Sequence, residues 1–168
     1  DSGCLTGALS TGFATPTYHV HSAEVEVDRD TGKVTILRYV VAQDVGRAIN
    51  PQQVEGQILG GVLQGVGYAL YEDLRVADGV TLDASLENYR LPTAFEAPPI
   101  DIALLDNPWP EGPYGAKGAG EPSIIPVAAV IASAVSDAIG KPIRNLPITP
   151  FDVLAALRED GTTEGTTR

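Results

Sequence analysis

VTILRYVVAQDVGRAINPQQVEGQILGGVLQGVGYALYEDL, residues 34–74, changes from one periodicity to another without a break, and that change decides the fold. Val34 to Ala42 is β-branched and apolar enough for a strand. Asp44-Val45-Gly46 ends it, and Asn50-Pro51 reads as an N-cap followed by proline at the first helical position. From there Val54, Ile58, Val62, Val66, Ala69 and Leu70 hold an apolar stripe at three- and four-residue spacing, which predicts a helix to about Leu74. Five glycines interrupt it: Gly56, Gly60, Gly61, Gly65 and Gly67. Each costs up to about 1 kcal/mol relative to alanine, so something approaches the backbone closely. A packed neighbour and a ligand explain them equally well.

Upstream, His19 to Val27 alternates, with Ala23, Val25 and Val27 on one side and Glu24, Glu26 and Asp28 on the other. Arg29-Asp30-Thr31-Gly32 supplies a turn, so this strand and Val34–Ala42 form a hairpin. Downstream come short strands, one at Ile100 to Leu105, and proline-rich loops in which Trp109 covers an edge of the core or an interface. A helix opens near Pro126, striped by Val127, Val130, Ile131, Ala134, Val135, Ala138 and Ile139, and Gly140 ends it. Thr149-Pro150-Phe151-Asp152 marks a last helix with a capping box. The expected class is α+β, a mixed sheet of hairpins packed with two longer helices. Residues 1–158 form one domain or two small lobes, and 159–168 a polar, flexible tail.

The net charge of −11, from 11 Lys plus Arg against 22 Asp plus Glu, argues against a nucleic-acid partner. Solubility explains the acidic balance better than steering of a cationic substrate. Cys4, the one cysteine, closes no intrachain disulfide and holds no iron–sulfur cluster, which needs about four thiolates. No apolar run reaches the roughly 18 residues of a membrane span and no signal sequence opens the chain, so a cytoplasmic setting is expected. The absence of methionine, with an Asp1-Ser2-Gly3-Cys4 start, favours a piece of something longer over a trimmed N-terminus.

Glu121 is the strongest candidate for chemistry. It follows the glycine-rich loop Gly115-Ala-Lys-Gly-Ala-Gly120 and precedes a helix, so its backbone can lie tight against a bulky ligand in a site shielded from water. Burial and a helix N-terminus act on such an acid in opposite senses, which suits a base working near neutral pH. Taken alone, an acid beside a glycine-rich turn is more often a surface cap than a catalyst. The loop is not a Walker A motif, because Lys117 is followed by glycine rather than Ser or Thr. Lys117 reaches an anionic ligand group or is simply solvated, and the second reading is favoured. His19 and His21 share a strand face without a third ligand at a recognisable spacing, so no metal is assigned to protein ligands. Glu55, Glu72 and Asp73 belong to a solvated helix face.

Two stretches taken together resemble the cofactor domain of the xanthine oxidase and aldehyde oxidoreductase family, the molybdenum hydroxylases. They are Asp44-Val-Gly-Arg-Ala-Ile-Asn50-Pro-Gln-Gln53-Val-Glu-Gly-Gln, continuing to Leu63-Gln64-Gly-Val-Gly67, and Lys117-Gly-Ala-Gly-Glu121-Pro122 with the Ala-rich helix behind it. The resemblance covers roughly residues 15–158. It implies the C-terminal segment of a molybdopterin-binding subunit that hydroxylates an aldehyde, purine or N-heterocycle carbon with water-derived oxygen. Glu121 matches the base that acts on the molybdenum-bound hydroxide, and Gln53 matches a glutamine whose amide contacts the pterin. Lys117 and Gly118 lie along the same cofactor wall. The implied cofactor is molybdopterin, in its plain or cytosine dinucleotide form, with 2Fe–2S clusters and FAD on other domains or subunits. The implied partners are the rest of the molybdenum subunit, iron–sulfur and flavin subunits, and a small-molecule substrate. The chain departs from the family pattern in length, since members carry several hundred residues ahead of this segment. The rival readings are a non-catalytic assembly piece of the same fold and, with less support, a stand-alone hydrolase working through a carboxylate.

Overall fold

Alternating side chains build a sheet with one covered face. The structure, a computed structural model, describes residues 16–158. β1, His19–Val27, pairs antiparallel with β2, Val34–Asp44, with Val27 opposite Val34 and His19 opposite Gln43. The turn between them is fixed by Asp28, whose Oδ1 accepts from the N–H groups of Asp30 at 2.9 Å and Thr31 at 3.2 Å. The expected hairpin is present, and β2 runs two residues further than the sequence pattern suggests.

Two further strands, β3 (Val76–Ala77) and β4 (Val80–Thr81), form a small separate hairpin on Asp78-Gly79. Both turn residues have positive φ, 51° and 78°, as a two-residue hairpin turn requires. β5, Ile100–Leu105, joins the main sheet parallel to β2, Tyr39 opposite Ile100 and Asp44 opposite Leu105, which gives the order β1-β2-β5. A parallel pair needs a long crossover, and the first helix supplies it.

That helix, α1, spans Pro51–Leu70, with Asn50 Oδ1 accepting from the Gln53 N–H at 3.2 Å. It stops four residues short of Leu74. The Tyr71 and Glu72 N–H groups both turn back to the Gly67 carbonyl, while the Ala69 carbonyl is taken by the Ile148 N–H at 2.7 Å. Glu72 is held outside the helix by the Tyr89 hydroxyl at 2.6 Å, and Arg90 lies over the Tyr71 ring. Tertiary partners thus win over a periodicity that continues in the sequence. α2, Val127–Ile139, closes on Gly140, which takes the left-handed conformation at φ 73°. α3, Pro150–Arg158, opens on the expected capping box, Thr149 N–H to Asp152 Oδ2 at 2.9 Å and Asp152 N–H to Thr149 Oγ1 at 3.2 Å.

The core lies between the sheet and the helices. Tyr39 and Val41 meet Ile58, Val62 and Val66 of α1, Val127, Ile131 and Val135 of α2, and Ile148 and Val153, all buried. Three of the five α1 glycines are explained by this packing. A Cβ on Gly61 would stand 2.2 Å from Ser123 Oγ, one on Gly65 2.4 Å from Val127 Cβ, and one on Gly67 would meet Glu72 and Pro92. Gly56 and Gly60 meet nothing within 4 Å. The expected α+β class is present, with α3 as a third, shorter helix. The Cys4 region and the tail at 159–168 lie outside the described residues.

Candidate functional site

The end of β2 and the start of α1 leave a cleft, and the glycine-rich loop forms its opposite wall. The cavity of about 440 Å³ is lined by Val45, Ala48, Ile49, Gln53, Val54 and Gln57 on one side and by Ala116, Lys117, Ala119 and Gly120 on the other, with Arg47 beside them. Gly46 makes the close approach possible. It sits at φ 64°, and a Cβ there would strike the Gly115 carbonyl oxygen at 2.4 Å and the Lys117 N at 3.0 Å. Main-chain bonds join the walls: Lys117 N–H to the Val45 carbonyl and Arg47 N–H to the Gly115 carbonyl, each 2.9 Å.

Behind this wall lies a buried charge pair. Lys117 Nζ is 2.6 Å from Asp44 Oδ2, and both side chains are 3% exposed. Asp44 is further held by the Gly46 N–H on Oδ1 at 2.8 Å and by Asn107 Nδ2 on Oδ2 at 3.1 Å. Burial pushes the Asp44 carboxyl up, but hydrogen bonds from Lys117, Gly46 and Asn107, with the lysine charge, hold it below the usual carboxylate range. The favoured sequence reading of Lys117 as a solvated cation is therefore corrected. Its ammonium is inside the protein because a carboxylate 73 residues away in sequence is there to meet it. That ammonium is spent on Asp44, so the residue contributes its stem and main chain to the cleft.

Gln53 lies on the first turn of α1 and lines the cleft, its side chain exposed. Gln57, one turn on, donates from Nε2 to the Gly120 carbonyl at 2.8 Å and so ties helix to loop. Gly118 is exposed between two lining residues, and a Cβ there would meet nothing within 4 Å. Glu121 follows Gly120 directly, its carbonyl accepting from the Ile124 N–H at 3.2 Å as the chain coils toward α2. The shielding expected for Glu121 is not supplied by the described residues, which leave it exposed. The fold thus brings Gln53 and Lys117 to one cleft, while Gly118 and Glu121 stand next to lining residues in sequence and are not among them.

Sequence reasoning missed Gln57, Arg47 and the role of Asp44. Gln57 stands four residues after Gln53, the helical spacing that would have placed it on the same face. Arg47 and Asp44 gain their places only from the folding of the Gly46 turn. The His19 and His21 rings meet edge to face at 5.6 Å, and His21 Nδ1 is 3.0 Å from the Tyr39 hydroxyl. Burial, and secondarily the neighbouring His19, lowers His21 to about 4, which keeps it neutral near pH 7. Among the described residues no group of three or more His, Cys, Asp or Glu is placed to hold a metal, and no helix is long and apolar enough to cross a membrane.

Residues 6–98 match the family model for the molybdopterin cofactor-binding domain. The chain is 42% identical over 142 residues to the 6-hydroxypseudooxynicotine dehydrogenase complex subunit gamma of Paenarthrobacter nicotinovorans, an alignment covering 82% of this chain and 18% of that protein. It is 37% identical over 145 residues to the putative xanthine dehydrogenase molybdenum-binding subunit of Escherichia coli, covering 85% and 19% respectively. Among solved structures, quinoline 2-oxidoreductase from Pseudomonas putida 86 superposes with a TM-score of 0.79 at 36% identity, over 83% of this chain and 18% of that one. The chain therefore spans less than a fifth of the length of these relatives. Family model, relatives and fold agree, and the chain belongs to the molybdopterin cofactor-binding domain family as a segment similar to part of the molybdenum-binding subunits of xanthine dehydrogenase and aldehyde oxidoreductase type.

Proposed function

We propose that this chain forms one wall of the molybdenum-cofactor site in a larger oxidoreductase that hydroxylates an aldehyde, purine or N-heterocycle carbon with water-derived oxygen, Glu121 serving as base. The observation that carries the proposal is the cleft itself, which sets Gln53 across from the loop that ends in Glu121. The donor set fits a pterin. No hydrogen bond among the described residues engages the Gln53 side-chain amide, which offers both a donor and an acceptor to a ring with amide-like edges. Gly118 and Gly120 add no side chain on the opposite wall, so a flat ligand can approach the backbone.

When bound, the molybdenum cofactor supplies the two-electron redox centre and an activated water-derived oxygen. Gln53 orients the ring from the first turn of α1. Glu121, exposed next to the cleft-lining Gly120, would serve as the carboxylate that accepts a proton in that chemistry. In this reading the shielding that the described residues do not give Glu121 falls to the remainder of the molybdenum subunit. Gln53 is a cofactor contact, and Lys117 and Gly118 contribute main chain to the same wall. Iron–sulfur clusters lie on other domains or subunits in this reading, since a single cysteine is too few to ligate one, and the family resemblance places flavin there too. The cofactor is molybdopterin, with the cytosine dinucleotide as the extended form.

Glu121→Gln in the full-length enzyme tests the proposal. We expect kcat to fall about 10²- to 10⁴-fold, the range carried by a positioned base, with molybdenum content unchanged. Turnover near the parental value removes the catalytic assignment and leaves the chain as a supporting wall.

A further inference from the structure

We propose that Asp44 and Lys117 are positioning residues: their buried ion pair is the strut that fixes the loop presenting Glu121. The inference rests on the reading of Glu121 as base, and the observation behind it is how little else holds residues 118–121. Gly118 and Gly120 are exposed, and neither position has a neighbour within 4 Å of a built Cβ, so only the half-buried Ala119 between them packs at all. Glycines carry the widest backbone freedom, and two of them in four residues let the acid wander unless the ends are fixed.

Both ends are fixed, and by different means. Two residues beyond Glu121, Ser123 is fully buried against Gly61 of α1. Four residues before it, Lys117 is anchored through its N–H to the Val45 carbonyl and through its ammonium to Asp44. Between them stand two hydrogen bonds, an exposed one from Gln57 Nε2 to the Gly120 carbonyl and one from the Ile124 N–H to the Glu121 carbonyl. The Ser123 anchor is steric. The Lys117 anchor adds a buried charge to its main-chain bond, and Asp44 also receives the Gly46 N–H and Asn107 Nδ2, so one carboxylate joins the end of β2, the exit of β5 and the loop.

A buried pair of this kind is a poor device for stability alone, because replacing both partners by neutral side chains is often harmless, whereas removing one leaves an uncompensated charge. Geometry is what it secures. A carboxylate displaced by about 1 Å from a reacting atom can cost on the order of 10² in rate, so an anchor four residues away is well placed to govern turnover.

Asp44→Asn, Lys117→Met and the double variant, each in the full-length enzyme, separate positioning from stability. Each single change is expected to lower the thermal midpoint. The double variant recovers most of that midpoint and retains molybdenum, yet kcat stays about 10- to 100-fold below the parent, with KM unchanged. In the same variant the amides of residues 118–121 exchange hydrogen about tenfold faster than in the parent. Recovery of kcat together with the midpoint, or parental exchange at 118–121, overturns the proposal. Should Glu121→Gln keep parental turnover, the base assignment fails by itself, and the strut is then decided by the exchange rate alone: faster exchange upholds it and parental exchange removes it.

Discussion

The two halves of α1 are one helix put to two uses. In its first turns, Pro51–Gln57, only Val54 is even partly buried, and Gln53 and Gln57 look into the cleft. In its last turns Gly65, Val66, Gly67 and Ala69 are all buried. Small residues at 61 and 65 let Ser123 and Val127 press on the helix backbone, so that half is gripped closely enough for the other to project freely over the cleft. A ligand wall, in this fold, is made by immobilising the far end of the element that carries it.

Gly65→Ala is the direct way to break the gripped half. The new methyl would lie 2.4 Å from Val127 Cβ, the branch point of a fully buried side chain with no freedom to swing aside. Overpacking of this sort costs about 1–3 kcal/mol, more than the gain of up to about 1 kcal/mol from helix propensity. We expect a lower thermal midpoint for the full-length protein, read by calorimetry, and loss of cofactor only as a consequence.

That contrast also marks what was legible in the sequence. The hairpin, the Asn50 cap, the Gly140 stop and the Thr149–Asp152 box follow from local rules, and each stands where those rules put it. The end of α1 was not legible, because Leu70 is the last helical residue only after Ile148 takes the Ala69 carbonyl and Tyr89 takes Glu72. The glycines of α1 illustrate the same limit: nothing in their spacing tells 61, 65 and 67, which pack, from 56 and 60, which face open space. At the cleft, the glycine-rich loop marks Glu121 by itself, whereas Gln53 and the role given to Glu121 come from the family resemblance. The burial of Lys117 was missed, since a lysine reads as solvated until its carboxylate partner is brought across 73 residues.

The open half is probed by Gln53→Ala. The side chain is exposed and its amide supports no part of the fold, so stability should stay at the parental value. The loss should fall on the cofactor: one polar contact is worth about 1 kcal/mol, roughly a fivefold weakening of retention. Molybdenum per protein after extended dialysis is the measurement. Equal metal content in variant and parent would mean that the amide faces something other than the pterin.

Gly60→Ala carries the smallest expected effect and sharpens the comparison most. It lies one residue from Gly61 on the same helix, but a methyl there meets nothing within 4 Å, while at Gly61 it would collide with Ser123. If only the contacts of residues 16–158 matter, alanine at 60 should stabilise by up to about 1 kcal/mol through helix propensity and raise the thermal midpoint slightly. The relatives are more than five times as long as the aligned stretch, however, and the proposed function sets further polypeptide against some face of this one. We expect the stabilisation, which would place Gly60 on a face that stays uncovered. A lowered midpoint in the full-length protein would put such further polypeptide directly on the outer side of α1, and Gly56, one turn earlier, would then share the contact.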